Sequence, residues 1–312
     1  MGAMCTMRTA APTWGDGVPS SMAGMREITD GLRFPEGPIA LADGSVLVVE
    51  IEGGALTRVS PDGQQTVVVE CGGGPNGAAI GPDGAVYVAN DGGLTFATDG
   101  EIRFPGALAE SNEGGCVQRV DLETGSFVDL YTHSGGQRLG ALNDVVFDNR
   151  GWFYVVDTGN GALHYAHPDG SSIRPVASGL EIPNGMGLSP DGKTLYVSET
   201  YSGRVFSWKV ASDGELDDRT LLYTADGHGW DGLAIDGNGN VCIANLEHSG
   251  ISIIAPDGTL LEEVTVPKHD PFVTNVCFGG PEGRTAYITS SGRGLLYEIE
   301  WPYPGLPLQF VR

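Results

Sequence analysis

Internal repetition decides what this chain can fold into. The tripeptide Pro-Asp-Gly begins at Pro61, Pro82, Pro168, Pro190 and Pro256. Proline presets the first turn dihedral, aspartate bonds back to the backbone and glycine accepts positive φ, so each copy predicts a hairpin turn. A longer unit surrounds these turns: a polar anchor, a short apolar run, a turn, and a second apolar run that ends in a polar residue. Asn76 to Asn90, Asn184 to Glu199 and Asp231 to Asn245 are clear copies. Glu36 to Glu50 and Asn143 to Asp157 fit the same frame, and Asn275 to Ser290 is a looser sixth. The anchors stand at 36, 76, 143, 184, 231 and 275, separated by 40, 67, 41, 47 and 44 residues. A period near 40 to 45, with short strands and Gly-rich turns, is the signature of a β-propeller with four antiparallel strands per blade. Helical periodicity is nearly absent, which removes folds that need crossover helices. The expected fold is all-β: one six-bladed propeller over residues 25–312, after a flexible leader at 1–24.

Within a unit, the anchor opens the innermost strand (Gly77 to Ile80) and the second strand returns after the turn (Val86 to Ala89). Gly203 to Val210 reads as a third strand and Thr66 to Glu70 as an outer fourth. Arg26 to Thr29 precedes Glu36 much as Thr66 to Glu70 precedes Asn76, so it reads as an outer strand without its own blade. It is expected to pair near Leu295 to Trp301 and close the ring, which removes a free sheet edge. Leu308 to Val311 competes for that slot. The long separation holds about 25 extra residues, from Gly92 to Gly115, expected as a loop on one face. That loop is either part of the binding face or a plain surface connection.

The chain has 312 residues, with 17 Lys+Arg against 40 Asp+Glu, a net charge of −23. Such an acid excess repels nucleic acid and anionic membrane and tolerates a bound cation. No apolar run approaches the length of a membrane span, and the start lacks the apolar block of a signal peptide, so a cytoplasmic location is expected. Cys5, Cys71, Cys116, Cys242 and Cys277 are odd in number and never form a CxxC pair, so they read as small buried hydrophobes.

In a propeller the innermost strands line one channel, so equivalent anchors form a ring at one depth. Here the ring reads Glu36, Asn76, Asn143, Asn184, Asp231 and Asn275. Every member offers a carboxylate or amide oxygen, a donor set suited to a hard divalent cation such as Ca²⁺. The polar ends of the second strands, notably Glu50, Asp157 and Glu199, are expected behind the ring, orienting its members by hydrogen bonds. Dedicated zinc patterns are absent.

These motifs bring a resemblance. Phe34-Pro35-Glu36-Gly37-Pro38, Leu142-Asn143-Asp144-Val145, Ile182-Pro183-Asn184-Gly185-Met186 and Trp230-Asp231-Gly232-Leu233 fall in order on four blades. The chain resembles the senescence-marker-protein/gluconolactonase/luciferin-regenerating-enzyme family, which includes regucalcin-type lactonases. The resemblance implies metal ligation by Glu36, Asn184 and Asp231, with Asn143 touching metal or substrate. It also implies one divalent ion, commonly Ca²⁺, with Zn²⁺, Mn²⁺ or Fe²⁺ accepted by various members. Sugar-lactone members place an Arg two residues before the third anchor, where this chain has Ala141. That departure, with Phe34, Trp230, Met186 and Phe104 as candidate wall residues, points to a lactone less polar than gluconolactone.

The expected activity is hydrolysis of a small-molecule lactone at the cation, with Asp231 as general base and Glu36 as the fallback. Asn76, Asn143, Asn275, Trp230 and Phe104 are the candidate substrate contacts. A proton-shuttle role is open for His228. Organophosphate or phosphoester hydrolysis on the same ring, a non-catalytic calcium-binding propeller, and a metal-free condensation of the strictosidine-synthase type are the alternatives. A serine hydrolase is excluded by the lack of a G-x-S-x-G elbow. The sequence leaves the oligomeric state open.

Overall fold

The computed structural model describes residues 24–225, 227, 229–308, 310 and 311. The leader up to residue 23, Cys5 and His228 lie outside the described residues. Among the described residues there is no α-helix, only a short 3-10 turn at Pro281–Gly283. None is part of a helix long and apolar enough to cross a membrane.

Six four-stranded antiparallel sheets make six blades. Their inner strands are Pro35–Ala40, Pro75–Ile80, Leu142–Phe147, Pro183–Leu188, Trp230–Ile235 and Val273–Gly279, numbered here as blades 1 to 6. Each inner strand neighbours the next and the sixth neighbours the first, a closed ring about one axis. The second strand of every blade is buried along its length or nearly so, as in Val46–Glu50 and Phe153–Asp157. Such strands must be apolar on both faces, because each face packs on another layer. Tyr87, Tyr131 and Phe153 fill the seam between blades 2 and 3, while Cys242, Ile288 and Trp301 fill that between 5 and 6. Cys71 and Cys277 sit in two further seams, and among the described residues all four cysteines are free.

The Pro-Asp-Gly copies do two jobs. Pro82 and Pro190 join inner to second strands, whereas Pro61, Pro168 and Pro256 join third to outer strands. Each glycine takes a φ between 68 and 86° and returns its N–H to the residue before the proline. Both kinds of hairpin turn at the same face, so the opposite face carries the second-to-third loops and the links between blades. The anchors lie at that second face.

Arg26–Thr29 pairs antiparallel with Leu295–Glu300, so the start of the chain completes blade 6. The competing tail lies elsewhere. Leu306 N–H bonds to Ile235 O, and Phe310 meets Phe147 edge-on at 5.8 Å, beneath the axis. The insertion is a hairpin, Leu94–Asp99 with Ile102–Leu108, between the second and third strands of blade 2. It therefore rises on the anchor face. From there it leans across blades 1 and 6: Arg103 pairs with Glu52 at 2.9 Å, and its N–H bonds to Gly292 O. A small second hairpin, His133–Ser134 with Gln137–Arg138, was not expected.

Candidate metal centre and active site

Each anchor stands at the second or third residue of its inner strand, and in all six blades the strand register breaks at that point. A bulge re-aims the side chain beside it. Glycine follows the anchor in blades 1, 2, 4 and 5 because neighbouring backbones come close there. A Cβ on Gly185 would lie 2.6 Å from Asp231 O, and one on Gly232 would lie 2.3 Å from the Asn275 amide. Asp144 replaces that glycine in blade 3 and reaches across the seam, accepting Met186 N–H and Val145 N–H at 2.8 Å each.

Glu36, Asn184 and Asn275 are buried; Asn76, Asn143 and Asp231 keep partial solvent access. Glu36 Oε2 accepts Asn275 Nδ2 at 2.8 Å and the Gly37 N–H at 2.7 Å. Asn275 Oδ1 accepts Val276 N–H, so both ends of that amide are engaged. It positions Glu36, in place of the substrate contact expected from sequence. Asn184 Nδ2 donates to Thr200 Oγ1 at 3.1 Å, whereas Asn184 Oδ1 is buried with no hydrogen-bond partner.

Carboxyl groups crowd this ring. Burial pushes Glu36 up to about 6 against the hydrogen bonds from Asn275 and Gly37. Burial and the charges of Glu36 and Asp144 drive Asp231 well above its ordinary value, with the Asn184 amide and Gly232 N–H opposing. Asp144 rises to about 7, again chiefly by burial. Among the described residues no three His, Cys, Asp or Glu side chains gather as a metal cluster. The donor set is mixed carboxylate and amide instead. Two repelling carboxylates and an orphaned amide oxygen are the environment that a hard cation relieves, so the residues present fit one.

The three carboxylates expected behind the ring do something else. Arg33 N–H donates to Glu50 at 2.6 Å, Gly140 N–H to Asp157 at 3.0 Å and Glu181 N–H to Glu199 at 2.9 Å. Each donor lies three residues before an anchor, so these groups fix the incoming chain and not the anchor side chain. The register explains it: Glu50, Asp157 and Glu199 pair with Pro35, Leu142 and Pro183, one residue before the anchor. Side chains alternate along a strand, which turns these away from the axis. Burial alone would raise Asp157, but bonds from His164, Gly140 and Asn160 outweigh it and hold its pKa below the ordinary value. Sequence reasoning missed the groups that do touch anchors, Thr200 and Thr274, and missed Asp144. The last had a signal, since it breaks the run of glycines after the anchors.

The apolar wall also differs from expectation. Trp230 is 0% exposed and packs on Tyr223 in the seam between blades 4 and 5, so it presents no face to the mouth. Met186 is buried below the ring, where it lines a mainly apolar cavity of about 180 Å³ together with Leu306 and Leu308 of the tail. Phe34 is buried between Phe96 at 5.2 Å and Phe272 at 5.6 Å. Phe104, on the hairpin, stays 37% exposed over Phe272. The insertion thus roofs the blade 6 and blade 1 side of the mouth.

Fold and site define a six-bladed propeller with an oxygen-bearing ring at the mouth of its axis. Residues 34–292 match the SMP-30/Gluconolactonase/LRE-like region, and the chain belongs to that family. A gluconolactonase of Zymomonas mobilis is 27% identical over 303 residues, covering 85% of this chain and 78% of that protein. A pentonolactonase of Haloferax volcanii is 29% identical over 278 residues, covering 86% and 84%. The solved structure of regucalcin, a calcium-binding protein from Agrobacterium tumefaciens, superposes with a TM-score of 0.74 at 18% identity, covering 94% of this chain and 98% of its own. That likeness is one of fold.

Proposed function

We propose that this protein is a metal-dependent lactonase, opening a cyclic ester to a hydroxy acid with one divalent cation, Ca²⁺ foremost. The observation that carries the reading is the buried, unpartnered Oδ1 of Asn184 beside the crowded carboxyls of Glu36 and Asp231. The lactonase names of the relatives support the same chemistry.

Glu36, Asn143, Asn184 and Asp231 would hold the cation, which when bound supplies Lewis-acid polarisation of the lactone carbonyl. Glu36 is pinned by Asn275 and Gly37, so it serves as a fixed ligand. Asp231 is partly exposed and suits the base: it takes a proton from the water that attacks the carbonyl carbon. As the ring C–O bond breaks, the same carboxyl returns that proton to the departing alkoxide. One water is consumed and one hydroxy acid leaves. The lack of an arginine at Ala141 favours a substrate with fewer hydroxyls than gluconolactone. The exposed Phe104, Ile182 and Tyr201 give the mouth its apolar edges.

The test is a pH-indicator assay over aldonolactones, alkyl lactones and aryl lactones, before and after chelation. Chelation should lower hydrolysis at least about 100-fold, and added Ca²⁺ should restore it. A stripped protein that keeps its full rate sinks the metal-dependent reading.

A further inference from the structure

One buried carboxylate at the mouth belongs to none of the roles above. Asp91 follows the second strand of blade 2 and is 2% exposed. Its N–H bonds to Gly74 O, two residues before the anchor Asn76. Ile51, Thr200, Leu246 and Ser291 occupy the same position in blades 1, 4, 5 and 6, each bonded to the residue that leads into its inner strand. Among these five, Asp91 alone carries a charge. Thr200 is satisfied by Asn184, and Ser291 by Thr274 and Pro35 O.

The carboxyl has a prepared place. Gly93 N–H donates to Oδ1 at 2.6 Å, while Oδ2 is buried without a hydrogen-bond partner. A Cβ on Gly74 would fall 2.1 Å from Oδ1 and 3.0 Å from Oδ2, so only glycine at 74 admits the group. In an extended chain, residues two apart share a face. Asp91 therefore stands where the Gly74 side chain would be, one step above Asn76, whose amide leans toward it. The root of the insertion covers it from outside, with Asn112 Nδ2 bonded to Asp91 O and Gly93 O. An acceptor held in this way, with one oxygen open, is built for a donor that arrives with the ligand.

We propose that Asp91 Oδ2 accepts a hydrogen bond from a ring hydroxyl of the substrate, which makes the substrate class monohydroxylated or sparingly hydroxylated lactones. The inference rests on the lactonase reading and sharpens it. Asp91 and Asn76 make blade 2 the polar side of the ring, while Ile182 and Tyr201 are exposed at blade 4, two blades further round.

The experiment uses the full chain with saturating Ca²⁺ and a set of γ-lactones that carry one ring hydroxyl at each position, beside the unsubstituted parent ring. The native protein should prefer one hydroxylated ring by roughly 10- to 100-fold in kcat/KM. Asp91→Ala should erase that preference, lowering kcat/KM for the hydroxylated ring by that factor more than for the parent. Asp91→Asn keeps the shape and should lose part of it, which covers the case in which the alanine variant does not fold. A native protein without preference, or variants that lower every ring in equal proportion, would overturn the role of Asp91 while the lactonase reading stands. Absence of hydrolysis on any lactone would overturn both.

Discussion

Thr200 Oγ1 accepts a hydrogen bond from the Asn184 amide nitrogen, and the amide oxygen is left buried without a partner. Thr200→Val keeps the shape and removes the bond. Cation affinity should fall about 10- to 100-fold in a calcium titration, with the melting temperature little changed. Asp231→Asn keeps an oxygen for the cation but cannot take a proton. Lactone turnover should drop by about 10²- to 10⁴-fold while bound calcium, read by metal analysis, stays near stoichiometric. The anchors were legible in the sequence because the repeat forces one side chain per blade to one depth. Thr200 and Asp91 were not. They lie one residue past the unit, where Ile51, Asp91, Thr200, Leu246 and Ser291 diverge and no pattern remains to read.

At the scale of elements, the closing strand was legible and its neighbours at the mouth were not. Arg26–Thr29 precedes Glu36 much as Thr66 to Glu70 precedes Asn76 and has no blade of its own, so pairing near Leu295–Glu300 was one of two closures the sequence offered, beside Leu308 to Val311, and the chain takes it. Its ion pair, Arg26 with Glu298, is exposed and adds little. The gain lies in backbone pairing and in the cover given to blade 6. Deleting residues 24–30 should lower the melting temperature by roughly 5–15 °C and raise aggregation, measured by calorimetry and light scattering. The insertion could be found by its length, but its reach over blades 1 and 6 depends on tertiary contacts. Phe34 with Phe96, and Arg103 with Glu52, join segments whose meeting no local pattern encodes. Trp230 shows the converse, since an aromatic beside an anchor reads equally as wall or as packing, and strand alternation turned it inward.

The whole molecule concentrates unneutralised acid along its axis. Asp91 and Asp144 stand at about 7 and Glu36 at about 6, all raised chiefly by burial. The ordinary values are 3.8 for Asp and 4.5 for Glu, so the folded form binds these protons more tightly than the unfolded chain. Their contribution to stability is present at low pH and is lost as pH rises through 6 to 7. Chelated protein should therefore melt at a lower temperature near pH 7.5 than near pH 5.5, by several degrees. Added Ca²⁺ should shrink that slope by relieving the carboxyls at neutral pH. A chelated protein whose melting point climbs steadily from pH 5.5 to 7.5 would contradict the burial argument.

The bond between Asn275 and Glu36 joins residues 239 positions apart, and the early strand Arg26–Thr29 has no partner until blade 6 is made. A ribosome that has released five blades has made Glu36, Asn143, Asn184 and Asp231, yet the first of these still lacks the amide that fixes it. The pocket is thus the last thing to exist during synthesis, and a truncated product ending before the sixth blade would carry most of the ligands without the geometry to use them.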